Sequence, residues 1–271
     1  MILKAVKSIL KFTRNLRADG IGSLSAQAAF FMILSFFPFV MLIIPLVKYI
    51  PFDENFLREL SQAVLPDRIE EILDMFTAEI YARPSVRIIS ITALTTLWTA
   101  SGGALAVMRG FNVINKVEET RGYIHLRMFA ALYTVLIILF IALMFAVFLF
   151  GNLIYGYITG IFPALKRAAD AVIGGRTLVG FLLLSVFFWF FYCVLPNRKC
   201  NVLSELPGSI FSAAAWIGFS YIYSFYIEHI SNYSYIYGSL SAMVFLMLWL
   251  YICMYIIFIG EEINIYLRED G

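Results

Sequence analysis

Residues 237–265 read YGSLSAMVFLMLWLYICMYIIFIGEEINI, and this stretch decides the fold. Residues 240–260 carry no charge. In a helix, about twenty such residues at ~1.5 Å each cross the ~30 Å hydrocarbon core of a bilayer. The run begins among small residues and ends abruptly at Glu261 and Glu262. The sequence therefore predicts a transmembrane helix here, with the rest of the chain supplying its partners.

The composition is that of an integral membrane protein. Of 271 residues, 62% are hydrophobic and 14% are charged, well below the ~25% charged of an ordinary soluble domain. Five further apolar runs are long enough to form spans, at about residues 23–50, 88–108, 129–153, 178–195 and 208–227. We predict an all-α, polytopic membrane bundle of about six transmembrane helices, forming a single integral membrane domain over residues 1–271.

Two amphipathic segments accompany the spans. Residues 1–20 place apolar and basic side chains at helical spacing, which predicts a cytoplasmic interfacial helix that contacts anionic membrane lipids. A cleaved signal peptide is the competing interpretation, but the basic region is long and the apolar run after it is too long. Residues 52–85 carry eight acidic and three basic residues. They predict an extracytoplasmic hairpin of two short helices, either a lid or simply two solvated helix faces.

Basic residues are unevenly distributed between the connections. The leader, the stretch 109–127 and the turn 196–199 are basic and fall on one side, whereas the hairpin is acidic and falls on the other. The positive-inside rule makes the basic side cytoplasmic, so both termini are predicted to be cytoplasmic. The basic connection 166–176 falls outside, within the tolerance of the rule. Cysteines at 193, 200 and 253 then lie in spans or on the reducing side, and no structural disulfide is expected.

Several stretches resemble one family, the YihY/BrkB membrane proteins, some of which carry the older label ribonuclease BN. The matching stretches are SLSAQAAFFMILSFFPFVML from residue 23, WTASGGALAVMRGFNVI from residue 98, LPNRKCN from residue 195 and the last span with its EEIN ending. The resemblance implies a bacterial inner-membrane protein of about six helices, associated with envelope properties and suggested to transport a substrate such as lipid. Phe30 and Phe31 stand where the family commonly has Tyr.

Few residues of this chain are suited to catalysis. The two histidines, His125 and His229, are predicted on opposite sides of the membrane, so a metal-dependent ribonuclease site is not expected. The sequence contains neither a GxxxxGK[ST] phosphate loop nor a GxSxG elbow. We therefore predict that the chain is not an enzyme and has no catalytic residues, metal or cofactor. A net charge of only +2 also argues against a nucleic-acid partner.

Polar residues at the ends of the spans are the strongest candidates for a functional site. Glu261 and Glu262 end the last span, where the helix dipole disfavours negative charge, and we expect Glu261 to pair with Arg109 or Arg198. Adjacent helical residues point ~100° apart, so only one of the two glutamates is expected to face the bundle squarely. The cluster is either a charge network that fixes helix register or part of a transport path. Its candidate members are Arg109, Asn112, Asn197, Arg198, Glu261, Glu262 and Asn264.

The first span carries unusual residues at membrane depth. Gln27 and Ser35 are expected to face other helices, through interhelical hydrogen bonds or as substrate contacts. Pro38 and Pro45 predict that this span tilts, bends or breaks, because each proline removes a backbone donor and collides with the preceding turn.

Two further features leave alternatives open. Glu228 and His229 at the outer end of the fifth span are either a proton-sensitive pair or helix-end residues in headgroup water. Gly156 and Gly160 have a spacing that allows packing within the chain or between copies, so a homo-oligomer is also considered. The leading functional interpretation is a transporter or flippase-like protein for an amphiphilic envelope component. The alternative is a non-transporting scaffold in envelope assembly.

Overall fold

The computed structural model describes residues 2–47, 86–148, 175–230 and 239–270, and the regular structure in these ranges is helical. The helices are α1 (Ile2–Ala18), α2 (Ile21–Val47), α3 (Val86–Ile114), α4 (Tyr123–Phe148), α5 (Arg176–Val194), α6 (Leu206–Ile230) and α7 (Ser239–Asp270). The prediction of an all-α, polytopic membrane bundle is confirmed. The predicted hairpin at 52–85 and the glycines at 156 and 160 lie outside the described residues.

The predicted spans coincide with helices. Four described helices contain stretches long and apolar enough to cross a bilayer, namely Tyr123–Ile141, Arg176–Val194, Leu206–Ile227 and Met243–Arg268. The predicted first and second spans fall in α2 and α3, which have 27 and 29 residues. Both exceed the ~20 residues that a crossing needs. Each predicted span therefore corresponds to one of the helices α2 to α7.

Helix α7 lies at the centre of the packing. It contacts α2 on one side and α6 on the other, while α2 lies along α3, α3 along α4, and α5 along α6. Small residues allow close approach between α2 and α3: a Cβ added at Gly103 would lie 3.2 Å from the Met32 Cα. Glycine is needed where two helix backbones come this near, because any larger side chain would push them apart.

Ser35 makes the interhelical contact expected of it. Its hydroxyl donates to the Phe31 carbonyl at 2.7 Å and accepts a hydrogen bond from the Gly103 N–H at 3.0 Å. The bond ties α2 to α3 at Gly103, the same residue that packs closely on the Met32 backbone. The prediction that Ser35 faces another helix is confirmed.

The prediction that Gln27 faces another helix is wrong. Gln27 is exposed, whereas its neighbours Ala28 and Ala29 are buried. Because successive helical residues point ~100° apart, the buried face of α2 turns Gln27 outward beside the exposed Phe30. Hydropathy identified the span correctly but did not specify its rotation about the helix axis.

Helix α2 continues through both of its prolines. Pro38 and Pro45 lie inside the helix, which extends from Ile21 to Val47. The helix therefore does not break at either proline. Each proline removes only one backbone donor, so the surrounding hydrogen bonds can carry the helix past it. A tilt or a bend of α2 remains a prediction.

Helix α1 packs against the C-terminal part of α7. The ring of Phe12 meets that of Tyr266 edge-on with centroids 5.9 Å apart, and the Lys11 amine lies 5.0 Å from the Tyr266 ring. Between α1 and α2 the chain turns at Gly20, whose φ of 64° favours glycine. The predicted interfacial helix therefore lies at the same end of the bundle as the end of α7, and its cytoplasmic location remains a prediction.

The expectation of no structural disulfide is wrong. Cys193 and Cys200 are bonded to each other, with Cα atoms 4.9 Å apart. Cys193 lies in the last turn of α5, and the turn that follows reverses the chain and returns Cys200 to it. Cys253 is a free, buried thiol in α7.

Candidate functional site

Arg198 connects three parts of the bundle from the segment between α5 and α6. Its Nη2 donates to Oε1 of Glu205 and to Oε1 of Glu261, both at 2.9 Å. Its Nε donates to Oδ1 of Asn115, at the C-terminal end of α3, at 2.7 Å. The guanidinium thus joins the start of α6, the C-terminal half of α7 and the residue that follows α3.

Arg268 closes this arrangement from the last turns of α7. Its Nη1 lies 3.1 Å from Glu205 Oε1, and its Nη2 donates to Asn115 Oδ1 at 3.2 Å. Asn115 in turn donates from Nδ2 to Glu261 Oε1 at 2.7 Å. We call these five residues, Asn115, Arg198, Glu205, Glu261 and Arg268, the arginine–glutamate cluster.

The negative charges of this cluster are buried, and positive charges balance them. Glu205 and Glu261 are both 0% exposed, and Arg198 and Arg268 supply the two compensating positive charges. Burial opposes the charge of Arg198, but the hydrogen bond and charge of Glu261, with those of Glu205, outweigh it and raise the pKa of the guanidinium. Removing either arginine would leave a buried carboxylate without full compensation, which is costly in a low-dielectric interior.

A second network positions the turn that carries Arg198. Asn112 donates from Nδ2 to Glu119 Oε2 at 2.7 Å, and its Oδ1 accepts a hydrogen bond from the Asn197 N–H at 2.8 Å. Asn197 also donates from Nδ2 to Thr120 Oγ1 at 2.8 Å. Asn197 therefore docks onto the connection between α3 and α4, and the adjacent Arg198 is held over the cluster.

Glu119 is fixed within this second network by Arg121. The guanidinium donates from Nε to Glu119 Oε1 and from Nη2 to Oε2, both at 2.7 Å. Such two-bond pairs fix geometry as well as charge. The hydrogen bond to Arg121 lowers the pKa of Glu119, and the same bond raises the pKa of Arg121.

Helices α6 and α7 cross almost in backbone contact beside the cluster. A Cβ added at Gly208 would collide with the Gly260 carbonyl oxygen and lie 2.5 Å from Asn264 Oδ1. That same Oδ1 accepts a hydrogen bond from the Gly208 N–H at 2.7 Å. The crossing fixes the position of α7 relative to α6, and with it the position of the Glu261 carboxylate beside the start of α6.

The structure brings most of the predicted cluster together. Glu261 pairs with Arg198, one of the two partners expected for it, and Asn112, Asn197 and Asn264 all lie in or beside this polar region. Arg109 is exposed on α3 and is not the partner of Glu261.

The expectation that only one of the two adjacent glutamates faces the bundle is wrong. Glu261 is 0% and Glu262 is 1% exposed. Both are buried because α7 has neighbours on two sides, α6 on one and α2 on another. Two directions ~100° apart can therefore both point into protein.

The predicted outer pair is only partly described. His229 is exposed near the end of α6, its Nδ1 lies 2.9 Å from the Phe225 carbonyl oxygen, and its ring stacks on that of Phe225. Residue 228 is helical, but its side chain is not described, so a pair between Glu228 and His229 remains a prediction.

Sequence reasoning missed three members of the arginine–glutamate cluster, Asn115, Glu205 and Arg268. Glu205 offered a recognisable pattern, because it stands directly before the apolar run of α6 just as Glu261 stands directly after that of α7. Arg268 lies seven residues beyond Glu261 in the same helix, which is two turns and therefore the same face. Asn115 had no comparable pattern.

Comparison with known proteins places the chain in a family. Residues 12–271 match the family described as Virulence factor BrkB. The chain belongs to that family. This BrkB family chain is similar to the ribonuclease-like protein YfkH of Bacillus subtilis, with 28% identity over 247 residues that cover 91% of the chain and 90% of YfkH. No solved structure matches it.

Other relatives are named only as membrane proteins. A UPF0761 membrane protein of Pseudoalteromonas atlantica is 22% identical over 287 residues, covering 99% of this BrkB family chain and 89% of the relative. One from Aliivibrio fischeri is 35% identical over 117 residues, covering 41% and 37% respectively. Within the described ranges, no group of three or more His, Cys, Asp and Glu is placed to hold a metal ion.

Proposed function

We propose that this membrane protein is a transporter or flippase-like protein for an amphiphilic component of the bacterial envelope. In this proposal it lies in the inner membrane with both termini in the cytoplasm, and membrane lipids are its surroundings and its class of substrate. The family assignment supports the membrane location. The arginine–glutamate cluster supports the transport role.

The observation that carries the proposal is the full burial of the Glu205 and Glu261 carboxylates against the partly buried guanidinium of Arg198. Taking ions out of water is expensive, and apolar residues of similar size often stabilise a protein at least as well. Stability alone therefore does not account for the cluster. Ionisable groups inside a membrane bundle commonly mark a path for a polar substrate.

The pattern of ion pairs supports a mechanism in which Arg198 exchanges a carboxylate partner for an anionic headgroup. Glu205 is held by two guanidiniums, those of Arg198 and Arg268, so it keeps a cation when Arg198 moves. Glu261 has Arg198 as an ionic partner and Asn115 as a neutral one. An anionic headgroup would compete with the carboxylates for Arg198, because phosphate accepts the same forked hydrogen bonds.

Lipid movement can be tested directly with the full chain. The protein is reconstituted into phosphatidylethanolamine and phosphatidylglycerol vesicles that carry a trace of fluorescent lipid, and an impermeant quencher reports exchange between leaflets. We expect faster exchange than in protein-free vesicles, slowed by Glu261→Gln. Glu118→Gln makes the same chemical change on an exposed side chain and should leave the rate unchanged. Exchange no faster than in protein-free vesicles, for either headgroup, would refute the transport role.

A second candidate function, a non-transporting scaffold in envelope assembly, is favoured by the α6–α7 crossing. The contact of Gly208 with Gly260 leaves no room for a side chain. A crossing this tight suits a rigid framework better than helices that separate. The scaffold predicts no leaflet exchange and a stable complex with another envelope protein in cross-linking from intact cells.

A further inference from the structure

Three fully buried side chains beside Arg198 each keep one polar atom without a hydrogen-bond partner within the described part of the chain. These atoms are Glu205 Oε2, Glu261 Oε2 and Asn264 Nδ2. All three residues are 0% exposed. A buried polar atom that lacks a hydrogen-bond partner costs free energy, so three such atoms in this region call for a physical explanation.

The three residues lie in one region of the bundle. The Oε1 atoms of Glu205 and Glu261 both lie 2.9 Å from Arg198 Nη2, so these oxygens are separated by no more than twice that distance. Asn264 follows Glu261 by three residues and so shares its face of α7. Its Oδ1 binds the Gly208 N–H, in the turn of α6 that follows Glu205. The three residues thus lie together between the start of α6 and the C-terminal half of α7.

The chemistry of the three atoms selects the occupant. Two of them are carboxylate oxygens, which accept hydrogen bonds, and the third is an amide nitrogen, which only donates. A metal cation would face the amide hydrogens of Asn264, and an anion would face two carboxylates. A water molecule can donate to both oxygens and accept from the amide, and a proton added to it is shared by the carboxylates.

We propose that Glu205, Glu261 and Asn264 form an internal proton-binding site, in which one proton is held between the two carboxylates directly or through a single water. The proton comes from solvent: a hydronium ion gives its proton to a carboxylate oxygen, which becomes a carboxyl group, and leaves as water. The proton sits on Oε2, so the hydrogen bonds that Arg198 and Arg268 donate to the Oε1 atoms can remain while one carboxylate loses its charge.

The charged and titratable groups around the site come from every element packed on it. Arg198 and Arg268 compensate the two carboxylates in the deprotonated state. The other groups nearby are Tyr192 of α5, Glu262 of α7, the Glu119–Arg121 pair of the α3–α4 connection, and Lys11 of α1 against Tyr266. With both arginines in place, adding one proton gives the cluster one net positive charge, which an anionic ligand would neutralise.

The proton-binding site does not depend on the proposed transport. It requires no lipid substrate, and it can be tested on protein that has none. If the protein does move an anionic amphiphile, proton uptake at this site would weaken the attraction between Glu261 and Arg198. The anionic headgroup would then compete more successfully for the Arg198 guanidinium. That coupling, unlike the site itself, rests on the proposed function.

Infrared difference spectroscopy tests the site in the full chain, reconstituted in lipid nanodiscs and titrated between about pH 4 and pH 9. A protonated buried carboxyl has a carbonyl stretch well separated from the carboxylate bands, and the stretch shifts in deuterated water. We expect such a band to grow as pH falls and to be lost or strongly reduced in Glu261→Gln or Glu205→Gln. Glu118→Gln, on an exposed side chain, should retain it.

A third variant gives a readout that a purely structural cluster would not change. Asn264→Leu removes the amide from which the bridging water of the proposed site accepts a hydrogen bond. This weakens the hydrogen bonds of that water to the carboxylates, so the midpoint of the titration should rise by about one pH unit. A wild-type spectrum without a titrating buried carboxyl overturns the proposal with no variant needed. A band that persists in both glutamine variants also overturns it. Lipid exchange between leaflets without the carboxyl band would reject the proton-binding site and leave the transport role standing. The carboxyl band without lipid exchange would support the proton-binding site and reject the transport role.

Discussion

Replacing Gly260 by Ala should destabilise the bundle at the α6–α7 crossing. A Cβ at this position would collide with the hydroxyls of Tyr192 and Ser212 and lie 2.9 Å from the Gly208 carbonyl oxygen. Those hydroxyls bond each other at 2.6 Å, and Tyr192 also donates to the Ile257 carbonyl at 2.8 Å. The methyl group therefore cannot enter without moving a helix or breaking a buried hydrogen bond.

The size of the effect follows from three contributions. Forcing a methyl group into a packed contact costs about 1–3 kcal/mol, and loss of one buried hydrogen bond costs about 1 kcal/mol. The higher helix propensity of alanine offsets about 1 kcal/mol. We expect the free energy of unfolding to fall by about 2 kcal/mol, which corresponds to a roughly thirty-fold smaller equilibrium constant for folding.

The assay is reversible unfolding of the full chain in mixed detergent micelles, followed by tryptophan fluorescence. The matched control is Gly218→Ala, on the exposed face of α6, where an added Cβ has no neighbour within 4 Å. The control should be unchanged or stabilised by up to about 1 kcal/mol. A Gly260→Ala variant as stable as wild type, or equal losses in the two variants, would refute the close crossing of α6 and α7.

Three further predictions use the same unfolding assay. Ser35→Ala removes the hydroxyl that joins α2 to α3 and should cost about 0.5–1.5 kcal/mol; no loss would mean that the contact is not formed in the membrane protein. Glu119→Gln tests pH dependence: the folded pKa of Glu119 is lowered by Arg121, so its stabilisation is present above the unfolded pKa and is lost as pH falls through the folded pKa. Wild type should therefore lose more stability in acid than Glu119→Gln, and parallel pH profiles would contradict this. Arg198→Leu should cost about 3–5 kcal/mol, because it leaves two buried glutamates undercompensated, whereas Arg176→Lys on an exposed position should cost nothing measurable.

The helices were predictable because the membrane imposes a simple rule on sequence. An uncharged run of about twenty residues must be helical to satisfy its backbone in lipid, and each run chosen on this criterion falls in a helix. The pairing of Glu261 with Arg198 was also predictable, but for a different reason: α7 continues to Asp270, so Glu261 does not lie at the helix C-terminus. A fully buried carboxylate requires a compensating cation. The positive-inside rule placed Arg109 and Arg198 on the same side of the membrane as Glu261, so both were expected as partners.

The features that could not be predicted depend on the rotation of each helix about its own axis and on which helices pack against it. Gln27 lies on the exposed face of α2, and nothing in the order of residues along an apolar helix fixes that rotation. Glu262 is buried because α7 has packed helices on two sides, which is a property of the assembled bundle. Glu205 was overlooked because a residue in a connection reads as solvated until the fold covers it. The Cys193–Cys200 bond depends in the same way on a turn that folds back.

The most direct test of the buried ion pair is a double-mutant cycle on Arg198 and Glu261 in the full chain. The free energy of unfolding is measured for wild type, Arg198→Leu, Glu261→Leu and the double variant. If the two side chains form a buried pair, the double variant will lose less stability than the two single losses together, by at least about 1 kcal/mol. Strict additivity of the two losses would show that Arg198 and Glu261 do not interact, and would contradict the account.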